Sequence, residues 1–155
     1  MLAIAAYYIT EMAREPARVL VCAHHQASAD NFVESYFGDM VTNFQEKHSW
    51  QARFIRLTSS HYNARSEKFA KFYMNFYNLR KEVQSRRSSI SSSNLVIATT
   101  FLTALRLRDL FDPGFFTHIL LDEGAQSREP EAVAPLSLAS SGTKIVIAGD
   151  SCQVS

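Results

Sequence analysis

Short apolar runs alternate with longer amphipathic stretches along the chain. The runs hold four to six residues rich in Val, Ile and Leu, typical of strands buried on both faces of a parallel sheet. The predicted strands are 18–23, 53–57, 94–99, 118–121 and 144–148, and the predicted helices are 2–14, 29–46, 67–85, 102–111 and 129–139. This alternation predicts an α/β fold in which helices cover both faces of a parallel sheet.

The predicted helix 67–85 carries a row of aromatic side chains with Lys and Arg among them. Its aromatic residues are Phe69, Phe72, Tyr73, Phe76 and Tyr77, spaced i, i+3, i+4, i+7 and i+8. Aromatic and basic side chains together can stack on nucleobases. The same spacing is typical of a helix whose apolar face packs on a core, and we favour that interpretation. The serine-rich stretch 85–93 that follows is predicted to be a loop.

The composition describes one soluble globular domain. The chain has 155 residues, of which 46% are hydrophobic, and only four prolines and five glycines. Cys22 and Cys152 do not make the disulfide framework of a small secreted protein, so a reducing, cytoplasmic setting is predicted. The apolar opening stretch 1–10 meets Glu11 too early for a membrane span and is interpreted as a helix.

The charges are distributed unevenly, although the net charge is only +1. Between Glu46 and Arg87 there are ten Lys or Arg and three Glu, a balance of +7, whereas the rest of the chain has a balance of −6. Two interpretations of the basic middle, extended to residues 46–93, remain open at this point. One is an inserted segment whose surface contacts phosphates, and the other is an ordinary solvated helix face.

Candidate chemistry lies directly after the predicted strands, because ligands of parallel α/β sheets bind beyond the carboxyl ends of the strands. Asp122 and Glu123 follow one strand directly. An Asp in this place can hold Mg²⁺, and the next Glu can activate the water that attacks a γ-phosphate. The other interpretation is the polar end of a buried strand. The remaining strand ends are His24-His25-Gln26, Thr99-Thr100 and Gly149-Asp150.

Four such elements together resemble superfamily 1 helicases. They are, in chain order, residues 19–30 (VLVCAHHQASAD), 96–100 (VIATT), 122–126 (DEGAQ) and 147–153 (IAGDSCQ). The first is similar to motif Ia, the second to the next nucleic-acid-contacting strand end, and the last two to motifs II and III. The resemblance is to the branch that includes the nonsense-decay RNA helicases and, within it, the helicase-with-zinc-finger proteins.

The resemblance implies a P-loop NTPase fold of the RecA-like type and an ATP-dependent enzyme that moves on single-stranded RNA, with DNA not excluded. Its cofactors would be ATP and Mg²⁺, and its partner within the protein a second RecA-like domain. Asp122 would hold the Mg²⁺, Glu123 would activate water, and Gln153 would couple the γ-phosphate to movement. Gln126 and Asp150 would complete the nucleotide site, although a structural role for Asp150 is equally open.

The same resemblance assigns the nucleic-acid backbone to His25, Gln26, Thr99 and Thr100, without base-specific contacts. The chain departs from the family at residues 24–26, where motif Ia usually reads Pro-Ser-Asn or Ser-Asn-Ser, and at Val154, where Leu is usual. The five histidines and two cysteines lack the paired spacing of a zinc site, so no zinc is expected.

The chain contains no Gly-x-x-x-x-Gly-Lys-Ser/Thr loop to surround the phosphates. We therefore interpret residues 1–155 as a partial first motor domain, of the DNA2/NAM7-type AAA helicase region, truncated at both ends. Such a chain alone is predicted to be inactive in ATP hydrolysis. The alternative is a non-catalytic short form that binds RNA or a protein partner through its basic middle.

Overall fold

The computed structural model describes residues 2–37, 52–59, 62–122 and 129–149. In these residues six strands form one sheet in the spatial order β3-β2-β4-β1-β5-β6, and all neighbouring strands are parallel. The strands are β1 (Arg18–Ala23), β2 (Arg53–Thr58), β3 (Tyr73–Asn75), β4 (Leu95–Thr100), β5 (His118–Leu121) and β6 (Lys144–Ile147). The α-helices are α1 (Leu2–Met12), α2 (Gln26–Ser35), α3 (Phe76–Ser91), α4 (Phe101–Leu105) and α5 (Glu129–Leu136). The predicted parallel sheet is confirmed.

Helices cover both faces of this sheet, as predicted. Because side chains alternate along a strand, the buried strands β1, β2, β4 and β5 each contribute to two separate cores. On one face, α1 and α2 pack on a core that includes Val19, Val21 and Leu120. On the other face, α3 and α4 pack on a core that includes Leu20 and Ile97. The strands β1, β4 and β5 are therefore apolar on both sides, which explains their continuous runs of Val, Ile and Leu.

The predicted helix 67–85 is wrong in its first half. Glu67–Phe72 forms a 3₁₀ helix, and Tyr73–Asn75 then adds the short strand β3 beside β2. The α-helix begins only at Phe76, where the side chain of Asn75 accepts a hydrogen bond from the Asn78 N–H at 2.9 Å. The helical spacing of the aromatic residues therefore spans three different elements.

The predicted serine-rich loop is wrong as well, because α3 continues to Ser91 with a departure from helical backbone angles at Arg86. Ile90 explains the continuation, since its side chain is buried in the core. The hydroxyls of Ser91 and Ser92 donate to the carbonyls of Arg87 and Ser88, four residues earlier, so they satisfy their polar groups inside the helix.

Other helix boundaries also differ from the predictions. Helix α2 begins at Gln26, three residues early, and residues 38–46 of its predicted length lie outside the described residues. The predicted helix 102–111 is the short α4 followed by the 3₁₀ helix Arg106–Asp109. The described part of the basic segment 46–93 supplies β2, β3 and α3 to the sheet, and its nature as an insertion stays a prediction.

Gly114 shapes the turn that leads into β5. Its φ of 90° is left-handed, and an added Cβ would lie 2.6 Å from the Ser140 hydroxyl oxygen. Its N–H donates to the Leu138 carbonyl at 2.9 Å, which ties this turn to the segment before β6. Among the described residues, no helix has the length and apolar character that crossing a membrane requires.

Candidate nucleotide and nucleic-acid site

The carboxyl ends of the parallel strands lie along one edge of the sheet, and Asp122 is placed there directly after β5. Its N–H donates to the Cys22 carbonyl at 2.8 Å, which continues the ladder between β5 and β1 by one residue. The half-buried Asp122 lines a cavity of about 190 Å³ together with residues of α1 and α2 and with Ala148, which follows β6. An acidic oxygen donor thus faces a cavity at the predicted edge.

The other predicted residues of the nucleotide site are Glu123, Gln126, Asp150 and Gln153, and these lie outside the described residues. Their roles stay predictions. Gly149, next to Asp150, is exposed beyond β6 and beside the end of β5. In the described part of the chain, no cluster of three or more His, Cys, Asp or Glu could hold a metal ion.

Cys22 and His118 are unsuited to metal binding in this fold for physical reasons. Burial raises the pKa of the Cys22 thiol, because the charged thiolate would lose its hydration in the apolar core. His118 begins β5 at the opposite edge of the sheet, and its pKa is lowered by burial and by the nearby charge of Lys144. Cys22 neighbours Asp122 only through its backbone, and its thiol is buried in the core.

The motif Ia residues form the turn between β1 and α2. His25 occupies the N-cap position of α2 with extended backbone angles and an exposed side chain, so it is placed where a ligand can reach it. The His24 ring packs edge-on against His25 and Phe101. Its Nδ1 lies 3.2 Å from Glu131 Oε2, an approach that lacks hydrogen-bond alignment.

The side chain of Gln26 is held by a neighbouring strand. Its Oε1 accepts a hydrogen bond from Arg56 Nη2 at 2.7 Å, and its carbonyl oxygen lies 3.2 Å from the same nitrogen. The amide group of Gln26 is therefore oriented by Arg56 of β2. A single guanidinium fixes both the side chain and the backbone of the first residue of α2.

Thr99 and Thr100 end β4 with their hydroxyls turned into the protein. The Thr99 hydroxyl donates to the Leu57 carbonyl at 3.0 Å and is completely buried. The Thr100 oxygen caps α4 by accepting from the Thr103 N–H at 3.3 Å. These side chains fix the strand end and the start of α4. The contact with nucleic acid that was predicted for them stays a prediction.

A buried ion pair beside this turn was not anticipated from the sequence. Asp30 of α2 and Arg56 of β2 are both completely buried, and Arg56 Nε donates to Asp30 Oδ1 at 2.9 Å. The hydroxyls of Tyr62 and Tyr73 also donate to the Asp30 carboxylate. We call Asp30, Arg56, Tyr62, Tyr73 and Gln26 the Asp30–Arg56 cluster. It joins α2, β2 and β3 at the carboxyl edge.

The cluster satisfies its charges almost completely, as buried ions require. The third nitrogen of the guanidinium, Arg56 Nη1, donates to the Leu57 carbonyl at 2.7 Å. Burial, and then the hydrogen bond to Asp30, raise the pKa of both the Tyr62 and Tyr73 hydroxyls. Sequence offered one signal for it, an Arg in the middle of the apolar run Arg53–Thr58, but no signal for its partner.

The row of aromatic residues at 69–77 is divided by the fold. Phe69 and Phe76 are buried, at 9% and 7% exposure, so the packing interpretation holds for them. Phe72 and Tyr73 are half-buried against the core on the α2 face. Tyr77 is 63% exposed, and Lys81 Nζ lies 4.5 Å from the centre of its ring. The row is thus part core and part surface.

Comparison with known proteins identifies the family. Residues 44–155, more than two thirds of the chain, match the family described as AAA domain. The chain belongs to the AAA domain family. The chain is 33% identical over 159 residues to the Mus musculus protein named "Probable helicase with zinc finger domain". This alignment covers 99% of this chain and 8% of that protein. The resemblance to helicase-with-zinc-finger proteins is therefore confirmed.

Another relative is the Homo sapiens protein "3'-5' exoribonuclease HELZ2", 32% identical over 145 residues that cover 93% of this chain and 5% of that protein. The chain thus spans less than a tenth of the length of these relatives. Among solved structures, a nuclease-deletion mutant of the Type ISP restriction-modification enzyme LlaGI in complex with a DNA substrate mimic matches with a TM-score of 0.63. That match has 10% identity and covers 96% of this chain and 14% of that one, and it confirms the fold.

Proposed function

We propose that this chain is part of the first RecA-like motor domain of an ATP-dependent RNA helicase, acting in the cytoplasm. The observation that carries the proposal is the position of Asp122, at the carboxyl end of a parallel strand and facing a cavity. Ligands of such sheets bind at this edge. The name of the Mus musculus relative supports a helicase function, and such a motor would also need a second RecA-like domain.

In the nucleotide half of the site, Asp122 would hold Mg²⁺ and so neutralise charge on the phosphates of ATP. A half-buried carboxylate at a strand end fits this hard cation, which prefers oxygen ligands. Glu123 would activate the attacking water and Gln153 would respond to the γ-phosphate. Gln126 and Asp150 would complete the pocket around the nucleotide.

In the nucleic-acid half, the strand ends after β1 and β4 would meet the phosphate backbone. His25 supports this role best, because its side chain is exposed at the start of α2. Gln26 would present a fixed backbone beside it, since Arg56 holds its amide. Thr99 and Thr100 would act mainly by fixing the end of β4, because their hydroxyls are bonded within the protein.

Nucleotide titration tests the first half of the proposal. The 155-residue chain has no Gly-Lys-Ser/Thr loop, so we expect it to bind Mg²⁺-ATP more weakly than about 1 mM and to show no turnover. In the full-length protein, Glu123→Gln should abolish turnover but retain ATP binding, whereas Asp122→Asn should weaken Mg²⁺-dependent binding. Full turnover in both full-length variants would refute the assigned roles.

A second candidate function is a non-catalytic module that binds RNA or a protein through its basic surface. The basic residues Arg80, Lys81, Arg86 and Arg87 favour it, because their side chains are all exposed on the single helix α3. Single-stranded RNA should then bind without ATP, with an affinity that falls steeply as salt rises. Replacing all four by Ala should flatten that salt dependence. An unchanged slope in the folded variant would place the RNA contact elsewhere, for example at His25.

A further inference from the structure

Tyr77 differs from the other aromatic residues of its row in where its ring lies. The buried rings of Phe69 and Phe76 hold the core together, whereas the Tyr77 ring is 63% exposed. Burial of apolar surface therefore does not explain an aromatic residue at this position. An exposed, oriented ring is the kind of group on which an unpaired base can stack.

The position of Tyr77 is set by the start of α3. Strand β3 ends at Asn75, whose side chain caps the helix through the Asn78 N–H, so Tyr77 lies in the first turn at the carboxyl edge. In the strand order β3-β2-β4-β1, the end of β4 lies two strand spacings away and that of β1 three. At ~4.8 Å per spacing, His25 after β1 is about 14 Å along the edge.

One positive charge lies against the Tyr77 ring, and two more lie on or beside neighbouring residues. Lys81 Nζ lies 4.5 Å from the ring centre, and the exposed Arg80 follows in the same turn. The Arg106 guanidinium lies 4.2 Å from the centre of the adjacent Phe76 ring. The first turn of α3 contains no acidic residue. Lys and Arg side chains beside an aromatic ring can contact the phosphates on either side of a nucleobase that stacks on the ring.

We propose that Tyr77, with Lys81 against its ring, Arg80 one turn along the helix and Arg106 beside the neighbouring Phe76, stacks on a base of single-stranded nucleic acid whose backbone follows the carboxyl edge of the sheet. The proposal rests on the proposed function and adds a base contact to its backbone contacts. Stacking is indifferent to base identity, so the site tolerates any sequence. The Lys81 ammonium orients the ring through a cation–π contact and attracts the adjacent phosphate.

The test compares the wild-type chain with Tyr77→Ala, Tyr77→Phe and the matched control Tyr8→Ala, which removes a 47% exposed tyrosine from α1. Binding of labelled single-stranded RNA, single-stranded DNA and an RNA duplex is measured by fluorescence anisotropy at several salt concentrations. Thermal unfolding of each variant is measured in parallel, and we expect it to be unchanged because both tyrosines are exposed.

Tyr77→Ala should weaken single-strand binding about 5- to 150-fold, the effect of losing one base stack. Its salt slope should stay that of the wild type, because the tyrosine carries no charge, whereas Lys81→Ala should flatten the slope. Tyr77→Phe and Tyr8→Ala should bind as the wild type does. Duplex binding should not change in any of the tyrosine variants, since duplex bases are already stacked.

The possible failures can be told apart. A wild-type chain that binds no single strand at low salt would overturn the nucleic-acid part of the proposed function and the stacking site with it. A wild-type chain that binds, with Tyr77→Ala binding equally well, would overturn the stacking site alone. Equal losses in Tyr77→Ala and Tyr77→Phe would also overturn it, because the phenylalanine ring retains the stacking surface, and would favour a partner that bonds the hydroxyl.

Discussion

The two outermost strands of the sheet, β3 and β6, differ in how they are packed, and each forms one outer edge of the sheet. At one edge, β3 is only three residues long, and its first residue, Tyr73, is bonded to the buried Asp30 carboxylate. At the other edge, all four residues of β6 are exposed, including Ile145 at 45% and Ile147 at 64%. The β3 edge is held by hydrogen bonds from side chains of the Asp30–Arg56 cluster, and we call it the completed edge. The other presents apolar side chains to solvent.

This difference divides the proposed site into two halves of unequal completeness. The nucleic-acid half, from His25 to Tyr77, lies between β1 and β3, where the Asp30–Arg56 cluster holds the elements together. The nucleotide half lies between β5 and the exposed β6, beside Asp122. In the described residues, the nucleic-acid half is supported on its outer side and the nucleotide half is not. The chain should therefore retain nucleic-acid binding more readily than nucleotide binding.

Breaking the completed edge should have the largest effect. Asp30→Ala leaves the Arg56 guanidinium buried without its counter-ion, so we expect a loss of about 3–5 kcal/mol in the free energy of unfolding. Urea denaturation measures it. The double variant Asp30→Leu with Arg56→Met removes both charges and should recover much of the loss. If the single variant lost less than about 1 kcal/mol, the cluster would not be what holds this edge.

The same edge should respond to alkaline pH. The pKa of Tyr73 is raised in the folded state, so its stabilising contribution is complete below the unfolded value of about 10 and is lost as pH rises through the folded value. Tyr73→Phe removes this titration. Its free energy of unfolding should therefore fall less steeply than that of the wild type above pH ~10. The raised pKa of Cys22 affects both proteins alike, and parallel urea series at increasing pH isolate the tyrosine.

Changing the exposed edge should alter stability least. Ile147→Lys should change the free energy of unfolding by no more than about 0.5 kcal/mol, because the side chain already lies in water. It should reduce self-association, since charge on an edge strand opposes pairing with another chain. Sedimentation velocity measures this. The matched change Ile119→Lys in the buried β5 should unfold the chain, and comparable effects at the two positions would erase the contrast between the edges.

The sequence predicted the sheet well because burial on both faces leaves a local record. Each of β1, β4 and β5 is a continuous apolar run, readable without knowledge of its neighbours. The short β3 left no such record, since three residues that follow a 3₁₀ helix are too few to display a period. The serine run 85–93 misled because a single residue, Ile90, keeps that stretch helical by packing on the core.

The positions of the candidate residues were predictable where the sequence pattern is local, and not where they depend on pairing between distant residues. The strand ends at His25, Thr100 and Asp122 follow directly from the apolar runs before them. Arg56 and Asp30 are 26 residues apart on different elements, and the local sequence around one does not indicate that it pairs with the other. Periodicity likewise could not tell Phe76 from Tyr77, because which ring faces the core depends on where α3 begins.

The central position of β1 has a consequence for how the protein is made. Its neighbours in the sheet are β4 and β5. Hydrogen bonds from Ala17, directly before β1, and from Arg18, its first residue, reach Asn94 and Thr117, 77 and 99 residues further along the chain. At about 5–20 residues per second, the ribosome needs roughly 5–20 s to supply that length. Until then β1 is an apolar segment without its partner strands. Contacts between such distant residues also form slowly. Of the elements that pack on β1, only α1 and α2 are made early enough to cover it before the sheet closes around it.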